Sequence, residues 1–184
     1  GFDNPLNPTT PATGDPLAES FTYDINWGDG RDAIVGASIA DLNGAPNVNS
    51  SGTISGSHTY ADDGVYTVRV TVHDDNGGSH FQEFTVTVTN VNPVVVVPNG
   101  NQSILEGGTV SFSDLATFTD PGFDNPLNPT TPATGDPFNE SFTYDINWGD
   151  GQSPIVGMMI ADMNGGPSIP SSGTISGSHT YADD

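Results

Sequence analysis

One alternating stretch constrains this chain more than any other. In Phe21-Thr22-Tyr23-Asp24-Ile25-Asn26-Trp27, residues 21, 23, 25 and 27 are apolar or aromatic and those between them are polar. Successive side chains of a strand point to opposite faces, so the run predicts a strand with one buried face. Gly28-Asp29-Gly30 follows and predicts a tight turn. The same ten residues return as Phe142 to Gly151.

That return belongs to a longer repeat. Residues 1–63 and 122–184 align without a gap, an offset of 122 − 1 = 121 residues. A period of that length is too long for a solenoid and matches one domain per repeat. The expected organisation is therefore a window on a tandem array. Residues 1–91 form the C-terminal part of one repeat and residues 92–184 the N-terminal part of the next.

The rest of the chain reads as short strands between turns. Gly1–Pro16 is a long Pro/Asp loop, Ala33–Ala40 a weaker strand, and Gly52–Tyr60 another short one. Val65–His73 and Phe84–Val88 alternate strictly across Asp74-Asp75-Asn76-Gly77-Gly78, an Asn-Gly hairpin signal. Asn90-Val91-Asn92-Pro93 reads as a linker, because proline cannot extend a ladder. Val94–Val97 opens the next domain, and Thr109–Ser113 is a further strand. No segment has helical periodicity. Seven or eight short strands per repeat predict an all-β, antiparallel β-sandwich.

Charge narrows the partners. There are 23 acidic residues against two arginines and no lysine, a net charge of −21. Such a surface repels nucleic acid and anionic membranes, and no apolar run is long enough to insert into a bilayer. Bound divalent cations or high external salt would relieve the self-repulsion. With no cysteine, the fold has neither disulfides nor thiolate-bound zinc.

Trp27-Gly28-Asp29-Gly30, then His58-Thr59-Tyr60, then Gly64-Val65-Tyr66-Thr67-Val68, resembles a PKD (polycystic kidney disease) domain. Glu106-Gly107-Gly108-Thr109-Val110 with Phe118-Thr119-Asp120-Pro121-Gly122 resembles the opening of PKD-like repeats of giant bacterial surface proteins. The resemblance covers nearly the whole repeat. It implies an immunoglobulin-like sandwich, an extracellular setting and a role in spacing, adhesion or strength. The repeat is longer than a usual PKD domain, and the excess falls in Gly122–Pro137 and Gln152–Ser172.

Calcium is the metal this composition favours, because it takes six to eight oxygen ligands and the chain clusters such groups at turns. One candidate set is Asp120, Asp124, Asn125 and Asp136, mirrored by Asp3, Asn4 and Asp15. A second is Asp62 and Asp63 with Asp74, Asp75 and Asn76. A third is Asp41 with Asn43, mirrored by Asp162 with Asn164. Glu106, Asn90 and Asn92 would add oxygens at the domain junction, in analogy to cadherins. The competing reading of each residue is turn formation, which Asp and Asn favour on their own.

The remaining residues read structurally. Trp27 and Trp148 are core residues, His58 and His179 structural histidines, and Tyr66 a corner tyrosine. Met158, Met159 and Met163 are either core filling or a soft apolar patch. Asn49, Asn101 and Asn139 match the glycosylation pattern. No nucleophile elbow or metal-histidine motif occurs, so the chain is read as non-catalytic. The expected function is a calcium-stiffened stalk, adhesin shaft or extracellular fibre. Its partners are neighbouring repeats and other copies of itself. The alternative is an accessory module that binds carbohydrate or protein beside a secreted enzyme or adhesin.

Overall fold

The computed structural model describes residues 19–42, 44–128 and 139–182. These form twelve strands: β1 (Phe21–Asn26), β2 (Ile34–Ser38), β3 (Asp41–Leu42), β4 (Ser51–Gly52), β5 (Gly64–Asp74), β6 (Ser79–Val88), β7 (Val94–Val96), β8 (Thr109–Asp120), β9 (Thr143–Ile146), β10 (Ile155–Met159), β11 (Asp162–Met163) and β12 (Ser171–Thr180). All pairings are antiparallel, and no described residue is helical. The chain divides into two compact units. Strands β1–β6 lie in the first; β7–β12, with residues 60–63, lie in the second.

In the first unit the sheet order is β2-β1-β5-β6. β1 pairs with β5 from Phe21↔Asp74 to Asn26↔Arg69. The β5–β6 hairpin turns through Asp74–Gly78, where Gly77 has φ +87° and the Asp74 N–H donates to the Gly78 carbonyl at 2.9 Å. The alternation of both strands puts Ile25, Tyr66 and Val68 on one face, and all three are buried, Val68 completely. Burying a valine side chain contributes about 1.5–3 kcal/mol. The segment after β4 covers this face: a Cβ on Gly56 would lie 2.8 Å from Ile25 Cδ1 and 3.1 Å from the Trp27 ring. A larger residue there would have to push the Ile25 and Trp27 side chains aside. Strand geometry here is confined to Ser51–Gly52, although Gly52–Tyr60 reads as a strand in sequence.

The second unit holds a sheet of order β11-β12-β8-β7 and a separate β10-β9 pair. Its core is Ala116, Phe118, Ile160 and Ile175, against which Phe142, Tyr144 and Ile146 pack. The Phe118 and Phe142 rings meet at 4.5 Å between centroids, tilted by 50°. β8 runs on to Asp120, well past the expected Thr109–Ser113. Its ladder with β12 is irregular between Ile175 and Gly177, and that break in register interrupts the alternation that sequence reading depends on.

Candidate functional site

The second unit contains an acidic pocket of about 430 Å³, lined by Asp62, Asp63, Asn90, Asp120, Asn139 and Glu140 together with Pro93, Ser141 and Phe142. Its walls come from the turn before β5, the linker before β7, the end of β8 and the approach to β9. The Ala61 carbonyl accepts the Phe123 N–H at 3.0 Å, which ties the acidic turn to the chain beyond β8. Ala61 and Phe123 are both buried. Asp120 is 6% exposed, and its Oδ1 accepts the Gly122 N–H at 2.8 Å. Asp62 Oδ1 accepts the Asp63 N–H at 2.7 Å, and Asp124 Oδ1 accepts the Glu140 N–H at 2.7 Å. No residue lining the pocket is basic.

Of the oxygen donors singled out in sequence, Asp62, Asp63, Asn90 and Asp120 line this pocket. Asp124 holds Glu140 from behind. Asn139 and Glu140 were not among those candidates. Their signal was the recurrence of Glu-Ser before both alternating runs, as Glu19-Ser20 and Glu140-Ser141. Asn92 and Glu106 are exposed and are not among the lining residues. Asp74 lies in the first unit and is occupied by its own turn, accepting the Asn76 and Gly78 N–H groups. The carboxylate oxygens of Asp75, beside it, are shielded from solvent and accept no hydrogen bond. Asp3, Asp15 and Asp136 lie outside the described residues. The chemistry of the pocket, four carboxylates and two amide oxygens, suits a hard dication. Among the described residues, however, no three His, Cys, Asp or Glu side chains are grouped tightly enough to hold an ion directly.

The Trp-Gly-Asp-Gly turns are a second constellation, and both copies build it alike. His58 Nε2 lies 2.8 Å from Asp29 Oδ2, and His179 Nε2 lies 2.7 Å from Asp150 Oδ2. Each histidine stacks on its tryptophan at 5.1 Å, with rings 6° and 8° from parallel. The other aspartate oxygen accepts the N–H two residues on, of Arg31 or Gln152. Asp29 is 1% exposed, so this carboxylate serves the turn. The tryptophans are half-buried, each with one ring face taken by histidine. The His179 hydrogen bond, the larger cause, and the Gln152 N–H hold the Asp150 carboxyl below its ordinary value of 3.8. Asp24 is lowered in the same direction, first by the Gly36 N–H and then by His73, at 2.7 and 2.9 Å.

The family model described as "Putative Ig domain" (He_PIG) matches residues 47–89, which run from the segment before β4 through β6. Comparison with curated proteins and with solved structures gave no match. The chain is an all-β protein, and residues 47–89 of it are similar to an immunoglobulin-like family. The match covers the β5–β6 hairpin and the His-Thr-Tyr segment that carries His58. No helix among the described residues is long and apolar enough to cross a membrane. Met158, Met159 and Met163 are 51%, 65% and 72% exposed, which favours the surface patch over core filling.

Proposed function

We propose that the chain is part of a tandem array of PKD-type immunoglobulin-like modules in a secreted or surface protein, where it acts as a structural, non-catalytic spacer stiffened by calcium. The acidic pocket carries this reading. It collects Asp62, Asp63, Asp120 and Glu140 around one space, with the Asn90–Pro93 linker in its wall and no basic residue among its lining. Four carboxylates around one space give it a negative potential that a dication would complement. The spacing suits an ion that keeps part of its water shell, with Asn90 and Asn139 adding amide oxygens. Holding the linker to the end of β8 would limit bending at the junction. The paired Asp-His-Trp turns support the PKD part of the reading.

The test is a thermal melt of the chain in calcium and in chelator. At 100 times its Kd, calcium adds about 2.7 kcal/mol, or roughly 10–20 °C for a unit of this size. The Asp120→Asn/Glu140→Gln double variant should lose most of that difference. Identical melts with and without calcium would remove the stiffening role.

A further inference from the structure

Four Asn-Gly pairs occur in the chain, at Asn43-Gly44, Asn76-Gly77, Asn99-Gly100 and Asn164-Gly165. In such a pair the glycine nitrogen is able to attack the asparagine side-chain carbon, because no Cβ shields it. How readily it does so depends on how the fold holds the two groups. Asn43 lies outside the described residues. The other three are held in different ways. Asn164 Oδ1 accepts the Asp124 N–H at 2.8 Å, and the would-be attacking nitrogen, that of Gly165, donates to Ser171 Oγ at 2.9 Å. The backbone there is tightly packed: a Cβ on Gly165 would lie 2.6 Å from the Ser171 nitrogen. At Asn99 the side-chain amide donates to the Asp114 carbonyl at 2.9 Å, and the backbone carbonyl accepts from Gln102 Nε2 at 2.6 Å. Asn76 has neither kind of restraint. It is exposed at the tip of the β5–β6 hairpin, and among the described residues its side-chain amide has no hydrogen-bond partner. Gly77 is exposed too; its N–H reaches the Asp74 carbonyl only at 3.4 Å, and a Cβ on it would meet nothing within 4 Å.

We propose that Asn76 is a site of spontaneous modification whose only co-reactant is water. The Gly77 nitrogen gives up its proton and bonds to Asn76 Cγ; the Cγ–Nδ2 bond breaks, and ammonia leaves with that proton. Water then opens the cyclic imide at either of its carbonyls. Opening at one gives aspartate. Opening at the other gives a β-linked isoaspartate, in which the main chain runs through the former side chain. Nothing is oxidised or reduced. Either product puts a new carboxylate on the loop beside Asp74 and Asp75. The β-linked form also lengthens the backbone between the Cα of residue 76 and the Gly77 nitrogen. That stretch lies inside a loop closed by two bonds: the Asp74 N–H donates to the Gly78 carbonyl at 2.9 Å, and Asp74 Oδ1 accepts the Asn76 N–H at 3.1 Å. The β5–β6 ladder starts beside this loop, at His73↔Ser79, so the β-linked product loosens the hairpin from its tip. This inference does not depend on calcium.

The test incubates the full chain in mildly alkaline buffer, folded and in concentrated urea, and follows loss of the side-chain amide at Asn76, Asn99 and Asn164 by peptide mass spectrometry. In the folded chain Asn76 should convert faster than either of the others by about tenfold. In urea, which releases all three from their restraints, the rates should converge. Folded chain carrying the β-linked product should show faster hydrogen exchange at residues 74–78, with β8 and β12 unchanged. Equal rates in the folded chain, or an Asn76 slower than Asn99 or Asn164, overturns the proposal. A ranking that persists in urea would come from sequence neighbours and overturns its structural basis. Unchanged exchange at residues 74–78 in the β-linked product overturns the loosening of the hairpin.

Discussion

Ser-Ser-Gly-Thr-Ile-Ser-Gly-Ser-His-Thr occurs twice, at residues 50–59 and 171–180. The first copy is strand only at Ser51–Gly52; the second is strand throughout. Nothing in the ten residues distinguishes them. What differs is the neighbour: β8 lies along the second copy, from Ser171↔Asp120 to Thr180↔Thr109. In the first unit the same residues are held by side chains instead. The Tyr23 hydroxyl donates to the Ser55 carbonyl at 3.0 Å, and His58 is fixed between Asp29 and Trp27. Side-chain anchors therefore place this segment, and an adjacent edge makes it a strand. β-propensity here measures the surroundings more than the residues.

A core substitution in one unit tests how separate the two are. Val68 is fully buried in the first unit. Val68→Asp should cost the first unit about 4 kcal/mol through an unpaired buried charge, collapsing exchange protection in β1, β5 and β6. β8 and β12 should keep theirs; joint collapse would show that the units unfold together.

The Asp-His pairs test the effect of burial on one bond. The side chains of His58 and Asp29 are 2% and 1% exposed, those of His179 and Asp150 12% and 19%. Asp29→Ala should cost about 2–3 kcal/mol in chemical denaturation, because His58 is left desolvated. Asp150→Ala should cost clearly less. Equal losses would mean that burial is not what separates the two sites.

The glycine pair should show a smaller contrast. Gly28 and Gly149 have φ of +91° and +84°, so alanine strains either by about 1 kcal/mol. Gly28→Ala must also displace the Thr67 carbonyl, and should cost at least twice as much as Gly149→Ala in the same melt. Acid has the smallest effect. The folded Asp24 and Asp150 carboxyls lie below 3.8, so their contribution is complete above about pH 4 and is lost as pH falls through the lowered values. Asp24→Asn should flatten this acid limb in the first unit, read as exchange in β1 between pH 5 and pH 3.

Local patterns gave most of the fold. The alternation of Val65–His73 and Phe84–Val88 around Asn76-Gly77 identified the β5–β6 hairpin, and Phe21–Asn26 identified β1. β8 beyond Ser113 was hidden because its ladder with β12 is irregular there. The pocket was half legible. Asp62, Asp63, Asn90 and Asp120 stood out as oxygen donors at turns, but residues 62 and 120 are far apart in sequence and only the fold brings them to one wall. Asn139 and Glu140 escaped because they precede a strand that drew attention to its own alternation.

Among the described residues β6 ends its sheet, and that edge also bears on solubility. Bare strand edges are where β-proteins clump, and usual protections include edge lysines, which this chain lacks. Its surplus of carboxylates keeps molecules apart instead, over a distance that shrinks from about 30 Å in 0.01 M salt to about 8 Å at physiological ionic strength. Dispersed in dilute buffer and sticky in brine, such a molecule would gather where ions are plentiful.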